Sequence, residues 1–189
     1  MFDSILRRVA SNLERARIPY MVVGGQAVLR YGEPRATKDI DITLGAGVED
    51  VQKILMIAKR TRIKTLVRSP KSFALRTGVL PLADRKTGIR VDFIFSNTLF
   101  EQRAIKRARS VRVGKQSVRF ASPEDLIIQK IIAGRPRDLE DVASVLLKNR
   151  RLNERYITRW LKQFEGVLDA SLVPVYRKLI RETRTRNRS

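Results

Sequence analysis

The sequence predicts an α/β (α+β) front half, residues 1–121, followed by a helical region, residues 122–189, packed on it. Three observations carry this. Tyr20–Val23 is apolar, breaks at Gly24-Gly25 into a helical stretch, and the chain returns as a strand at Lys38–Leu44. Short runs with strand spacing recur as far as Phe120. Beyond Ser122 only helical spacing remains.

Ile5, Leu6, Val9, Leu13 and Ala16 fall at helical intervals and predict a helix over 3–17, with Pro19 just past its end. A helix opens at Gly24-Gly25 and closes at Gly32 and Pro34. In Lys38–Leu44, Asp39, Asp41 and Thr43 alternate with Ile40, Ile42 and Leu44, the pattern of a strand with one apolar face. An amphipathic helix follows over 48–60. Phe73–Leu82 and Ile89–Phe95 read as two strands joined by a turn containing Asp84, Lys86 and Gly88. Leu99–Arg107 reads as a short helix. A hairpin turns at Gly114-Lys115, with Val111, Val113, Val118 and Phe120 inward and Arg112 and Arg119 outward. Ser122-Pro123-Glu124-Asp125 is a helix start, with a capping serine, proline in the first turn and two acids at the positive end of the dipole. Further helices are predicted over 139–147, 154–164 and 172–184.

Composition excludes much chemistry. The chain has no cysteine and no histidine, so thiolate or imidazole metal sites and Ser-His-Asp or Cys-His catalysis are absent. No run is apolar enough to span a membrane, and the N-terminus lacks the basic-then-apolar order of a signal peptide, so a cytoplasmic protein is expected. Lys and Arg number 40 against 19 Asp and Glu, for a formal charge of +21. That favours a polyanionic partner, nucleic acid before an anionic membrane surface, over a merely solvated basic exterior. The charge is clustered: Arg103, Lys106, Arg107, Arg109, Arg112, Lys115 and Arg119 occur between Gln102 and Pro123 with no acid among them, and the tail from Tyr176 is again basic.

Against that background Asp39 and Asp41 demand a reason. They project to one side of their strand while Ile40 and Ile42 go to the core. Two carboxylates so close repel unless a cation lies between them, and oxygen-only ligation selects Mg²⁺ or Mn²⁺. Asp92, between Val91 and Phe93, has the same setting; were its strand to pair beside the first, three carboxylates would share one patch, as two-metal phosphoryl transfer requires. Gly24-Gly25, between strand and helix, places backbone N–H groups where phosphate can approach. Asp84 competes with Asp92 as third acid. Arg35 and Lys38 precede the acids on a loop from which a cation could touch a triphosphate. Tyr20, Tyr31 and Trp160 suit packing better than base stacking.

Gly24-Gly25, then Asp39-Ile40-Asp41-Ile42, then Asp92 between apolar residues resembles the signature of the DNA polymerase β-like nucleotidyltransferase superfamily. "VGGQAVLRYG…RATKDIDI" and "EDLIIQKIIAGRPRDLEDVASVL" resemble its AbiEii toxin-type branch, over roughly residues 18–148. The resemblance implies the nucleotidyltransferase fold, a small mixed sheet flanked by helices, and transfer of NMP from an NTP to a hydroxyl with Mg²⁺ or Mn²⁺. It implies Asp39, Asp41 and Asp92 as metal ligands and catalytic acids, Gly24 and Gly25 at the triphosphate, and Lys130 near the nucleotide phosphates. Asp138 and Asp141 match the branch's Asp-x-x-Asp, though they and Glu140 equally suit a helix's first turn; Arg135 and Arg137 could clamp phosphate or pair with those acids. Many members carry Gly-Ser where this chain has Gly25 followed by Gln26, so Gln26 or backbone must replace a hydroxyl. With the basic segment, the resemblance implies RNA, a tRNA 3′ end, as acceptor, and an antitoxin protein as partner if the chain is the toxin of a pair. A protein or small-molecule hydroxyl and a catalytically silent nucleic-acid-binding module are the alternatives.

Overall fold

The computed structural model describes residues 1–186 and divides into two compact units, Met1–Gln26 with Ala36–Ala121, and Ala27–Arg35 with the chain from Ser122 onward. The last three positions of the basic tail, 187–189, lie outside the described residues.

The first unit is built on one seven-stranded mixed sheet. Its strands are β1 (Tyr20–Val23), β2 (Asp39–Leu44), β3 (Ile63–Thr65), β4 (Val79–Asp84), β5 (Arg90–Phe95), β6 (Arg109–Val113) and β7 (Gln116–Phe120), in the order β3-β4-β5-β2-β1-β7-β6. β2 pairs in parallel with β5 and β1 in parallel with β7, while the remaining neighbours are antiparallel. β1 is buried along its whole length, as its uninterrupted apolar sequence requires of a central strand. On β2 and β5, Ile40, Ile42, Val91, Phe93 and Phe95 are buried, so the core takes one face of this pair and the intervening residues take the other.

Helix α1 (Phe2–Arg15) buries Ile5, Leu6, Val9, Ala10 and Leu13 and lies against β6, β7 and α3 (Val51–Arg60). α3 is preceded by a single 3₁₀ turn at Val48–Asp50. The predicted strand over Phe73–Leu82 is corrected: Pro70–Thr77 is a helix, α4, and only Val79–Asp84 is strand. Pro70 opens the helix in its first turn, and Gly78, at φ 69°, ends it in the left-handed conformation, so the chain switches from helix to strand there. β3 was not anticipated. Helix α5 (Leu99–Arg107) starts in a full capping box between Thr98 and Glu101 and lies against β1 and β2.

The β6–β7 hairpin turns where expected, but one side chain does not face out as the pattern predicts. Arg119 is half-buried: its guanidinium donates to the carbonyls of Ile105 (3.0 Å) and Ala108 (3.5 Å) at the end of α5, and its N–H donates to the hydroxyl of buried Tyr20. A cation at a helix C-terminus meets the negative end of the dipole, which a reading of the strand alone could not reveal.

The second unit contains α6 (Pro123–Ala133), α7 (Pro136–Lys148), α8 (Glu154–Leu168) and α9 (Leu172–Arg186), together with Ala27–Tyr31 of α2 (Gly24–Tyr31). Ser122 caps α6 by accepting from the Asp125 N–H. Trp160 is buried beside Tyr156 and Phe164, a packing residue and no stacking platform.

Asp84, the rival third acid, is a structural anchor. It is 2% exposed, bonds to Arg8, and accepts from the N–H and hydroxyl of Thr87 (2.9 Å each) and the N–H of Lys86 (3.2 Å). Burial alone would raise its pKa, but the bonds from Thr87, with Arg8 and Lys86, outweigh it and hold the carboxyl below its usual value. A depressed folded pKa contributes stability that is full above the unfolded value and fades as pH falls through the folded one. Asp84→Asn should therefore cost about 2–4 kcal/mol at neutral pH in urea unfolding. The gap from the parent protein should narrow as pH drops below about 4, the unfolded aspartate value.

Candidate active site

Parallel pairing of β2 and β5 sets Asp41 directly beside Asp92, and Asp39 beside Arg90. Residues in parallel register share a face, and alternation puts Asp39, Asp41, Arg90 and Asp92 on the face opposite Ile40, Ile42, Val91 and Phe93. The strand pairing on which the acids' convergence depends is thus present.

Arg90 is the member that the sequence reading missed. Its Nε lies 2.9 Å from both carboxylate oxygens of Asp92. The guanidinium holds its proton more tightly than usual: the hydrogen bond to Asp92 leads, burial opposes it, and the fields of Asp92, Asp39 and Asp41 add to it. All three acids therefore act on one cation. The signal was present in Arg90-Val91-Asp92, where the i, i+2 rule puts arginine and aspartate on one side.

Gly24 is the second element of the geometry. β1 pairs Val23 with Asp41, so the next residue passes close to the Asp41 side chain. Gly24 has φ 60°, and a Cβ there would stand 2.0 Å from Asp41 Oδ2. Glycine is required both by the backbone conformation and by the space the carboxylate fills. Gly25 and Gln26 are buried in the first turn of α2, and the Gln26 amide reaches the Asp39 carbonyl only at 3.5 Å. Thr37 donates to Asp39 Oδ1 at 3.2 Å, and Lys38 between them is exposed.

Oxygen-only donors on a half-exposed face match the chemistry of Mg²⁺ or Mn²⁺, and the pull of all three acids on Arg90 marks this face as attractive to cations. Among the described residues no three acids are gathered closely enough to hold an ion by themselves. Mg²⁺ is ordinarily held by one or two carboxylates with substrate phosphates and water completing the shell, so the donor set fits that ion.

Lys130 belongs to the other unit and is not a solvated lysine. At 8% exposure, its Nζ lies 2.6 Å from Asp138 and 2.8 Å from Asp141. Arg35 grips Asp141 with two bonds (2.6 and 2.9 Å), and Arg135 bonds Asp138 at 2.5 Å. For Asp138, burial would raise the pKa, but Arg135 and Lys130 outweigh it and hold the carboxyl down. Arg35, on the loop from which a cation could touch a triphosphate, is thus tied to Asp141.

Of the basic segment, Arg103, Lys106 and Arg107 on α5, Arg109 and Arg112 on β6, and Lys115 in the turn are exposed, whereas Arg119 is committed to carbonyls as described.

Residues 1–158 match the family described as "Nucleotidyltransferase of unknown function (DUF6036)". The chain belongs to this family. No curated protein matches the sequence. The antibiotic-resistance factor ANT(2'')-Ia aligns at TM-score 0.63 and 12% identity over 89% of this chain and 93% of its own. An antigenic nucleotidyltransferase-like protein from Paracoccidioides brasiliensis aligns at TM-score 0.56 and 18% identity, over 76% and 74%. The lincosamide antibiotic adenylyltransferase LnuA aligns at 0.52 and 16%, over 75% and 94%. At these identities the likeness is one of fold, and the DUF6036 chain has the nucleotidyltransferase fold predicted for it.

Gly24→Ala should destabilise the protein by about 1–2 kcal/mol for the left-handed backbone alone, with a further cost from the Asp41 contact. A double-mutant cycle in urea separates the two, since the contact cost should vanish in an Asp41→Ala background while the backbone cost remains.

Proposed function

We propose that this protein transfers a nucleoside monophosphate from an NTP to a hydroxyl acceptor, releasing pyrophosphate, with Mg²⁺ or Mn²⁺. The observation supporting it is the shared face of Asp39, Asp41 and Asp92 beside the Gly24 turn, in a chain of this family and fold. Asp39 and Asp41 would supply carboxylate ligands, with Asp92 beside Asp41 and the substrate phosphates and water completing the shell. A bound divalent ion would neutralise the triphosphate and acidify the attacking hydroxyl. The acceptor oxygen attacks the α-phosphorus in line, its proton passes to Asp92 or water, and the bond to the bridging oxygen breaks with pyrophosphate as leaving group. Backbone N–H groups at Gly24-Gly25, with Gln26 and Lys38, orient the triphosphate.

The exposed cations of α5 and β6 favour RNA as acceptor, with a tRNA 3′ end the candidate. A toxin role, with an antitoxin partner, would use the same chemistry. The salt bridge that holds Asp92 to Arg90 favours one second reading, a silent nucleic-acid-binding module.

Incubation with Mg²⁺, total tRNA and each of four α-labelled NTPs in turn tests the proposal. Label should move to RNA with one nucleotide, and Asp39→Ala/Asp41→Ala should reduce transfer about a thousandfold or more. Absence of transfer with any nucleotide, while RNA binding persists in both proteins, would leave the silent module.

A further inference from the structure

The α8–α9 hairpin carries a cationic cleft that straddles the end of the family match, with Arg159, Lys162 and Arg177 beyond it. Antiparallel packing is fixed near one end by Arg184 on Glu154 (3.0 Å) and near the other by the Val173 N–H on Glu165 (2.8 Å). Arg155, Arg159 and Lys162 stand at i, i+4 and i+7, on one face of α8. Arg177 joins them from α9, and the four line an open cleft of about 690 Å³. All four are exposed, and among the described residues none is paired with an acid. The one acid lining the cleft, Glu154, is already bound to Arg184.

Solvated cations on single helices usually interleave with acids or point apart. Here four converge across a groove at a cost in mutual repulsion, which an anion would relieve. Along the axis of α8 Arg155 and Arg159 are about 6 Å apart and Arg159 and Lys162 about 4.5 Å, within reach of successive phosphates along a nucleic acid strand. The aromatic lining is Tyr176, which is 1% exposed and cannot offer its ring face to a base. A groove with cations and no accessible ring reads backbone and not sequence.

We propose that this cleft binds the phosphodiester backbone of an RNA strand, a second contact separate from the 103–119 segment. The claim rests on the RNA-acceptor reading above, but its test requires no nucleotidyl transfer. Binding of a fluorescein-labelled single-stranded RNA oligonucleotide would be followed by anisotropy across a salt series without NTP. Arg155→Gln/Arg159→Gln/Lys162→Gln/Arg177→Gln should weaken binding at least tenfold and lower the slope of log K against log salt by about 3. Lys53→Gln/Lys59→Gln/Arg60→Gln/Arg85→Gln, exposed positions elsewhere, removes equal charge and should change binding less than threefold. Far-UV circular dichroism checks both folds, and Arg159→Gln/Lys162→Gln should give about half the slope change should the fourfold variant misfold. Equal weakening by the control set would overturn the cleft in favour of bulk charge. Unchanged RNA binding, with binding to phosphatidylserine vesicles lost instead, would overturn it in favour of a membrane surface. The binding measurement contains no NTP and follows no transfer, so a failure of catalysis and a failure of the cleft give different results.

Discussion

Asp41 and Asp92 stand side by side on parallel strands, with Asp39 on the same face, and like charges so placed raise the energy of the folded state. The rest of the sheet unit is arranged around that constraint. Burial of Ile40, Ile42, Val91, Phe93 and Phe95 on the opposite face makes the register costly to slip, because a one-residue shift would send the acids inward and the apolar set outward. Gly24 yields the space that the Asp41 carboxylate occupies, and Arg90 supplies the only counter-charge that β2 and β5 carry on that face.

The second unit meets the same problem differently. Asp138 and Asp141 are buried, and their charge is closed by Lys130 with Arg35 and Arg135 around it. Lys130 bridges both acids, so removing it would weaken the compensation of both away from water. On the sheet face, by contrast, Arg90 is 54% exposed and can leave Asp92 without being stranded. A closed network is a structural element; an acid face that meets a half-exposed arginine suits an exchangeable cation.

The acids were legible because each sits in a strand whose alternation is unambiguous, and the Gly24-Gly25 break because glycine marks a backbone switch whatever the tertiary context. What failed has local causes. Phe73–Leu82 has apolar residues on both sides of Arg76-Thr77-Gly78 and too few in either part for periodicity to separate the end of α4 from the start of β4, and the boundary is set by Gly78. Arg119 sits at an outward position of its strand but is captured by the carbonyl end of a helix 12 residues earlier, a contact that no local pattern encodes. Lys130 looks solvated on an amphipathic helix, and only the fold brings Asp138 and Asp141 to it. Arg90 was legible by the i, i+2 rule, which sets it on the same side as Asp92.

The proposed chemistry requires that the acid face take a divalent cation once a nucleotide brings its phosphates. Electron paramagnetic resonance of Mn²⁺ titrated into the protein with a non-hydrolysable NTP analogue measures this directly. Addition of protein to Mn²⁺ and analogue should remove the free-ion signal beyond what the analogue alone removes, and Asp39→Asn/Asp41→Asn should abolish the difference. An identical free-ion signal with parent protein, variant and analogue alone would contradict it.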